Sequence, residues 1–126
     1  MHITHTDLAS PANALVLDNS ANPLAHADAV RAADTVVLEF PKWTDGRAYS
    51  QAVLLRARLR YRGQIRATGE VLVDMLPLLR RCGFDAAQLR PDQSLAAAER
   101  ALGYFSAGHY QGDASGAAPS SALRTA

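Results

Sequence analysis

The chain has 126 residues, 48% of them apolar, and a formal net charge of +1. That length and composition fit one globular domain with a light, alanine-rich core, and the small net charge argues against nucleic-acid binding by bulk electrostatics. The lone cysteine, Cys82, excludes an intrachain disulfide or a CxxC pair, the N-terminal MHITHTDLASPA lacks the basic and apolar regions of a signal peptide, and no apolar run reaches the roughly 18 residues of a membrane span.

In chain order, Ala14–Leu17 is a short apolar run ending in an Asp-Asn-Ser turn. Asn22-Pro23 then signals a helix start, because Asn caps free amides and Pro is tolerated in the first turn. That helix is predicted to run to about Ala33. Thr35–Phe40 is β-branched and stopped by Pro41, which predicts a buried strand. Thr44 or Asp45 is placed to cap a helix from Gly46 to about Tyr61, with Ala48, Ala52, Leu55 and Leu59 as its core stripe. Gly63 is the expected stop of that helix. Gln64–Thr68 reads as a third strand. Gly69 turns into a helix from about Glu70 to Arg81, kinked by Pro77 and closed by Gly83. Phe84–Leu89 is a weaker strand, and Asp92 is expected to cap a last helix, about Gln93–Ser106. His2 and His5 are assigned to a mobile end.

The pattern is βαβαβαβα. It predicts an α/β fold of about four parallel strands, since each helix supplies the crossover that parallel pairing needs. The expected organisation is a single domain over residues 1–111 and a disordered Ser-, Ala- and Gly-rich tail over 112–126.

Charge is unevenly spread. Between Asp45 and Glu70 stand six arginines and no acidic residue. In open parallel sheets, ligands bind beyond the carboxyl ends of the strands, and helix N-termini favour anions. Lys42, Asp45, Gly46, Arg47, Tyr49, Ser50, Arg66, Thr68 and Gly69 are therefore the expected site for a small oxyanion such as sulfate, sulfite or phosphate. Alternation puts Gln64, Arg66 and Thr68 on one side of their strand. The competing expectation is an internal network in which Asp45, Glu70 or Asp74 neutralises Arg47 and Arg66. Arg56, Arg58, Arg60 and Arg62 are expected to face solvent or a partner. Cys82 is expected to pack rather than react. The four histidines have no metal spacing, and no nucleotide, flavin or hydrolase motif is present, so no metal and no particular cofactor is indicated.

Three runs carry a resemblance: FPKWTDGRAYSQAVLLR, then YRGQIRATGEVLVDML, then RRCGFDAAQLR, with a terminal HYQ. Together they resemble the bacterial family catalogued as domain of unknown function 934. Its members are described as oxidoreductases of sulfite reduction and occur beside the assimilatory sulfite reductase. The matched positions are Asp45, Gly46, Arg47, Tyr49 and Ser50; Gly63, Arg66, Ala67, Gly69, Val71 and Asp74; and Arg81 to Asp85. Trp43 and Pro77 depart from the pattern.

The resemblance implies an accessory oxidoreductase-type role in sulfur assimilation, in a cytoplasmic setting, with a fold like part of a βα-barrel. Whether the chain is an enzyme stays open at this point, because no redox motif is present. The alternative is a non-enzymatic adaptor or assembly module docking to sulfite reductase or another acidic redox partner. The N-terminal part before Val36 is shorter than the pattern, which suggests an open sheet edge and pairing into a homo-oligomer.

Overall fold

The computed structural model describes residues 1–5 and 13–107, with side chains to residue 103. The terminal HYQ and the expected disordered tail at 112–126 lie outside these residues. Five parallel strands form one sheet: β1 (His2–Thr4), β2 (Ala14–Leu17), β3 (Thr35–Phe40), β4 (Gln64–Gly69) and β5 (Ala86–Gln88). The spatial order is β1-β5-β4-β3-β2. From β2 to β5 each strand lies beside its predecessor, as in a βα-barrel. β1 then closes onto β5 rather than returning to β2.

β1 is a strand that the sequence reading missed. Its three residues pair with Ala86–Gln88, and His5, assigned above to a mobile end, bonds the main-chain carbonyl of Gln93. A three-residue strand carries too little periodicity to be read; the tertiary partner defines it.

Four helices pack as one layer: α1 (Ala27–Ala32), α2 (Arg47–Ala57), α3 (Leu76–Cys82) and α4 (Leu95–Ala107). Alternation decides what each strand contributes. Val36, Leu38 and Phe40 of β3, Ile65 and Ala67 of β4, and Ala87 of β5 join the helices in a single core with Leu55, Leu76 and Leu79. The intervening residues, Thr35, Val37 and Glu39, Gln64, Arg66 and Thr68, Ala86 and Gln88, take the other face. No described helix covers that face.

Several helix boundaries differ from the expectation. Asn22 caps as predicted, its side chain accepting from the Leu24 amide at 3.0 Å, but the first turn, Pro23–His26, is 3-10 before α1 begins. Neither Thr44 nor Asp45 is the N-cap of α2: that position is Gly46, which has no side chain to offer, and Asp45 one residue earlier accepts from the Arg47 amide at 3.0 Å. α2 stops at Ala57, not near Tyr61. Its C-cap is Arg58, not Gly63; two residues further on Arg60 turns the chain with φ 56°, and the Tyr61 amide reaches back to the Leu55 carbonyl at 2.8 Å. Glycine is the usual residue there, and an L-residue in that conformation costs about 1 kcal/mol.

Gly63 is needed for space instead. A Cβ there would lie 2.2 Å from the Tyr61 hydroxyl and 2.6 Å from the Asp34 carbonyl.

Pro77 produces no mid-helix kink, because α3 starts only at Leu76 after a 3-10 turn at Val73–Met75. Pro77 therefore sits in the first turn, where its missing amide has no intrahelical partner to lose. Gly83 closes α3 as expected, with φ 107°. At α4 the cap is Ser94, whose Oγ accepts from the Ala97 amide at 3.1 Å. Asp92 is engaged by Arg90.

Candidate functional site

The expected site residues fall into three groups. The first is the β3–α2 loop and the start of α2. Lys42, Gly46, Arg47 and Ser50 are exposed there and Asp45 is half-buried. Lys42 and Arg47 form no ion pair among the described residues. The helix end is already partly filled, since the Asp45 carboxylate takes the Arg47 amide.

The second group is structural. Tyr49 turns into the helix–sheet layer, its ring edge-on to Phe40 with centroids 5.1 Å apart. Burial raises its pKa, and the neighbouring Cys82 adds to the rise. Gly69 has φ 95°, and a Cβ there would sit 2.4 Å from the Phe40 carbonyl. Its glycine is required by the close approach of β3 and β4.

The third group is Arg66 with Thr68, in mid-strand on the helix-free face. Arg66 is only 8% exposed. Its register neighbours are Val37 on β3 and Ala86 on β5, both apolar and buried, so neither offers the guanidinium a hydrogen bond from its side chain. One Nη donates to Gln64 Oε1 at 3.1 Å. Nε is buried and has no hydrogen-bond partner. Gln64 Oε1 also faces the Thr35 hydroxyl at 3.5 Å. Thr68 lies opposite Glu39, so one polar row, Gln64-Arg66-Thr68, runs along β4 toward the carboxyl end of the sheet.

The internal network offered as the competing expectation does not form around Arg66. Glu70 pairs instead with Arg90 at 3.8 Å, and Arg90 holds Asp92 in a two-pronged contact at 3.0 and 2.7 Å. These bonds to Arg90 hold the Asp92 carboxyl below its usual range. Arg66 itself has no carboxylate partner among the described residues. A buried guanidinium without a counter-charge loses several kcal/mol of hydration, which the single bond to Gln64 returns only in part.

Of the four arginines expected to face a partner, Arg56 departs. Its guanidinium donates to the Tyr61, Gly63 and Gly83 carbonyls and to Asp85 Oδ2 at 2.6 Å. It ties α2 to the two turns that follow α2 and α3. Arg58, Arg60 and Arg62 remain exposed. The sequence distinguished none of the four, because Arg56 is set apart only by the turns folded around it.

A family model described as "Bacterial protein of unknown function (DUF934)" matches residues 14–121. The chain belongs to this family. No curated protein and no solved structure matches it. In this DUF934 chain no helix of the described residues is long and apolar enough to cross a membrane. No group of His, Cys, Asp and Glu among them is placed to hold a metal. Cys82 is half-buried, and burial pushes its thiol up against the smaller opposing pull of Arg81. At neutral pH it is a protonated packing thiol, not a thiolate nucleophile.

Proposed function

We propose that the chain is an accessory protein of assimilatory sulfite reduction that receives a small oxyanion of the sulfite class on the helix-free face of its sheet. The observation that carries this reading is Arg66, nearly buried, with an unpartnered Nε and no carboxylate paired with it among the described residues. A guanidinium binds an oxyanion through two parallel N–H bonds, and Nε is one of the donors such a pair uses. Thr68 and Gln64 extend the polar row on either side. Glu39, on the same face of the adjoining strand, disfavours a fully deprotonated dianion and suits an anion that retains a proton, as hydrogen sulfite does. Sulfur assimilation itself is supported by the family resemblance.

Titration calorimetry with sulfite and sulfate, on wild type and Arg66→Met, tests the site. Sulfite is expected to bind in preference to sulfate, and the variant to lose about tenfold or more in affinity. Equal sulfite affinity in the two proteins removes Arg66 from the site. An absorbance spectrum of the purified protein tests the electron-carrying version of the role. A visible band supports a bound redox cofactor, whereas a colourless protein that still restores growth on sulfite sinks it.

A second reading, an adaptor that docks an acidic redox partner, is favoured by the exposed Arg58, Arg60 and Arg62, which have no ion pair among the described residues. Reversing Arg58 and Arg62 to Glu should weaken capture of sulfite reductase; undiminished capture argues for the small-anion reading alone.

A further inference from the structure

We infer that the opposite, amino edge of the sheet holds a second anion site, for a small molecule bearing a diphosphate group. This goes beyond the sulfite reading and is independent of it. Where the turns preceding β3 and β4 meet, a cavity of about 370 Å³ is lined by Arg31, Asp34, Leu59, Arg60, Arg62 and Gly63, with Tyr61 completing the wall. Three guanidiniums from two separate segments thus share one concavity with a single carboxylate. Arg31 meets Asp28 only loosely, at 3.9 Å between exposed groups. Arg60 and Arg62 have no ion pair among the described residues.

Two further observations point to a ligand. Arg60 is, among the described residues, the non-glycine with positive φ. A left-handed backbone favours glycine, and here it carries an arginine against that preference. The dipole of α2 accounts for a cation near its end, but not for one in a left-handed conformation, nor for Arg31 arriving from another helix.

The floor is also held rigid. The Tyr61 hydroxyl donates to the Ala33 carbonyl at 2.9 Å, the Gln64 amide to the Asp34 carbonyl at 3.0 Å, and Arg56 grips the Tyr61 and Gly63 carbonyls. Such a frame fixes the backbone that carries Arg60 and Arg62, whose side chains stay exposed and free to close on a ligand. The hollow is open to solvent and bordered by arginines from two segments, and a diphosphate offers several oxygens to guanidinium forks on both sides.

The test is calorimetry with inorganic pyrophosphate, inorganic phosphate and sulfate at fixed salt, on wild type, Arg60→Gly, Arg62→Ala and Arg66→Met. Pyrophosphate is expected to bind about tenfold more tightly than sulfate. Arg60→Gly should lower pyrophosphate affinity by a similar factor while raising the melting temperature by a few degrees, about 4 °C. Loss of binding in a more stable protein cannot come from unfolding. Arg62→Ala should also weaken binding, and Arg66→Met should leave it unchanged. Wild-type affinity in Arg60→Gly, or no preference for pyrophosphate over sulfate, overturns the assignment. So does equal loss in Arg66→Met, which would place the anion on the sheet face instead.

Discussion

Arg56 and Arg66 lie ten positions apart in one arginine-rich stretch, yet the fold treats them oppositely. Around Arg56 the turns after α2 and α3 present three carbonyls and the Asp85 carboxylate, and the side chain is consumed by them. Around Arg66 the neighbouring strands present Val37 and Ala86, and the fold offers the guanidinium a single glutamine. The difference separates a strut from a site. A strut is recognised by its saturated donors, a site by donors that the protein leaves open although burial makes them costly.

The contrast breaks first at Arg56. Arg56→Ala should destabilise by about 2–3 kcal/mol, because it strands carbonyls in two turns; the ion pair with the half-exposed Asp85 contributes less, since solvent screens it. Chemical denaturation measures this directly, and a change below about 0.5 kcal/mol would mean those carbonyls find water instead. Gly63→Ala comes next, at about 2 kcal/mol, because the added carbon meets the Asp34 backbone carbonyl, which cannot rotate away. A variant as stable as wild type would show that the turn moves freely, and would weaken the case for a rigid cavity floor. Arg66→Met should go the other way, leaving stability unchanged or raised by about 1 kcal/mol, since an uncompensated charge leaves the sheet. A loss above 2 kcal/mol would expose a hidden counter-charge and make Arg66 a strut as well.

Much of the frame was legible in the sequence. β2, β3 and β4 follow from β-branched and apolar runs bounded by turn residues, and parallel pairing follows from the helices between them. The placement of Arg66 opposite Ile65 and Ala67 follows from strand alternation alone. What could not be read was set by partners distant in sequence. β1 exists because β5 offers it an edge. Arg60 takes a left-handed turn after α2 as Tyr61 turns down to reach Ala33. Gly63, expected to be the helix stop, is small because Asp34 lies against it. Arg47 and Arg66 share a stretch of sequence, but one stands at a helix entrance and the other in mid-sheet, so the expected site divides. Arg31 was not singled out because its charge gains meaning only when α1 delivers it to the cavity formed after α2.

The smallest effect concerns the other side of the sheet, where the helix layer partly buries three groups that titrate at alkaline pH. Burial raises the pKa of Cys82 above its ordinary 9.0 and those of Tyr49 and Tyr61 above 10.0. Each keeps its proton in the fold at a pH where the unfolded chain has released it. The unfolded state then binds fewer protons than the native state, so stability falls as pH rises. The loss should begin near pH 9 through Cys82 and deepen beyond pH 10 as the tyrosines join. Cys82→Ala should remove the first part of that decline and leave the second. Thiol-reagent kinetics give an independent check, since Cys82 should react more slowly in the native protein than in the unfolded chain at pH 8. Rapid native-state modification would place the thiol outside the helix layer, and with it the contact that raises Tyr49.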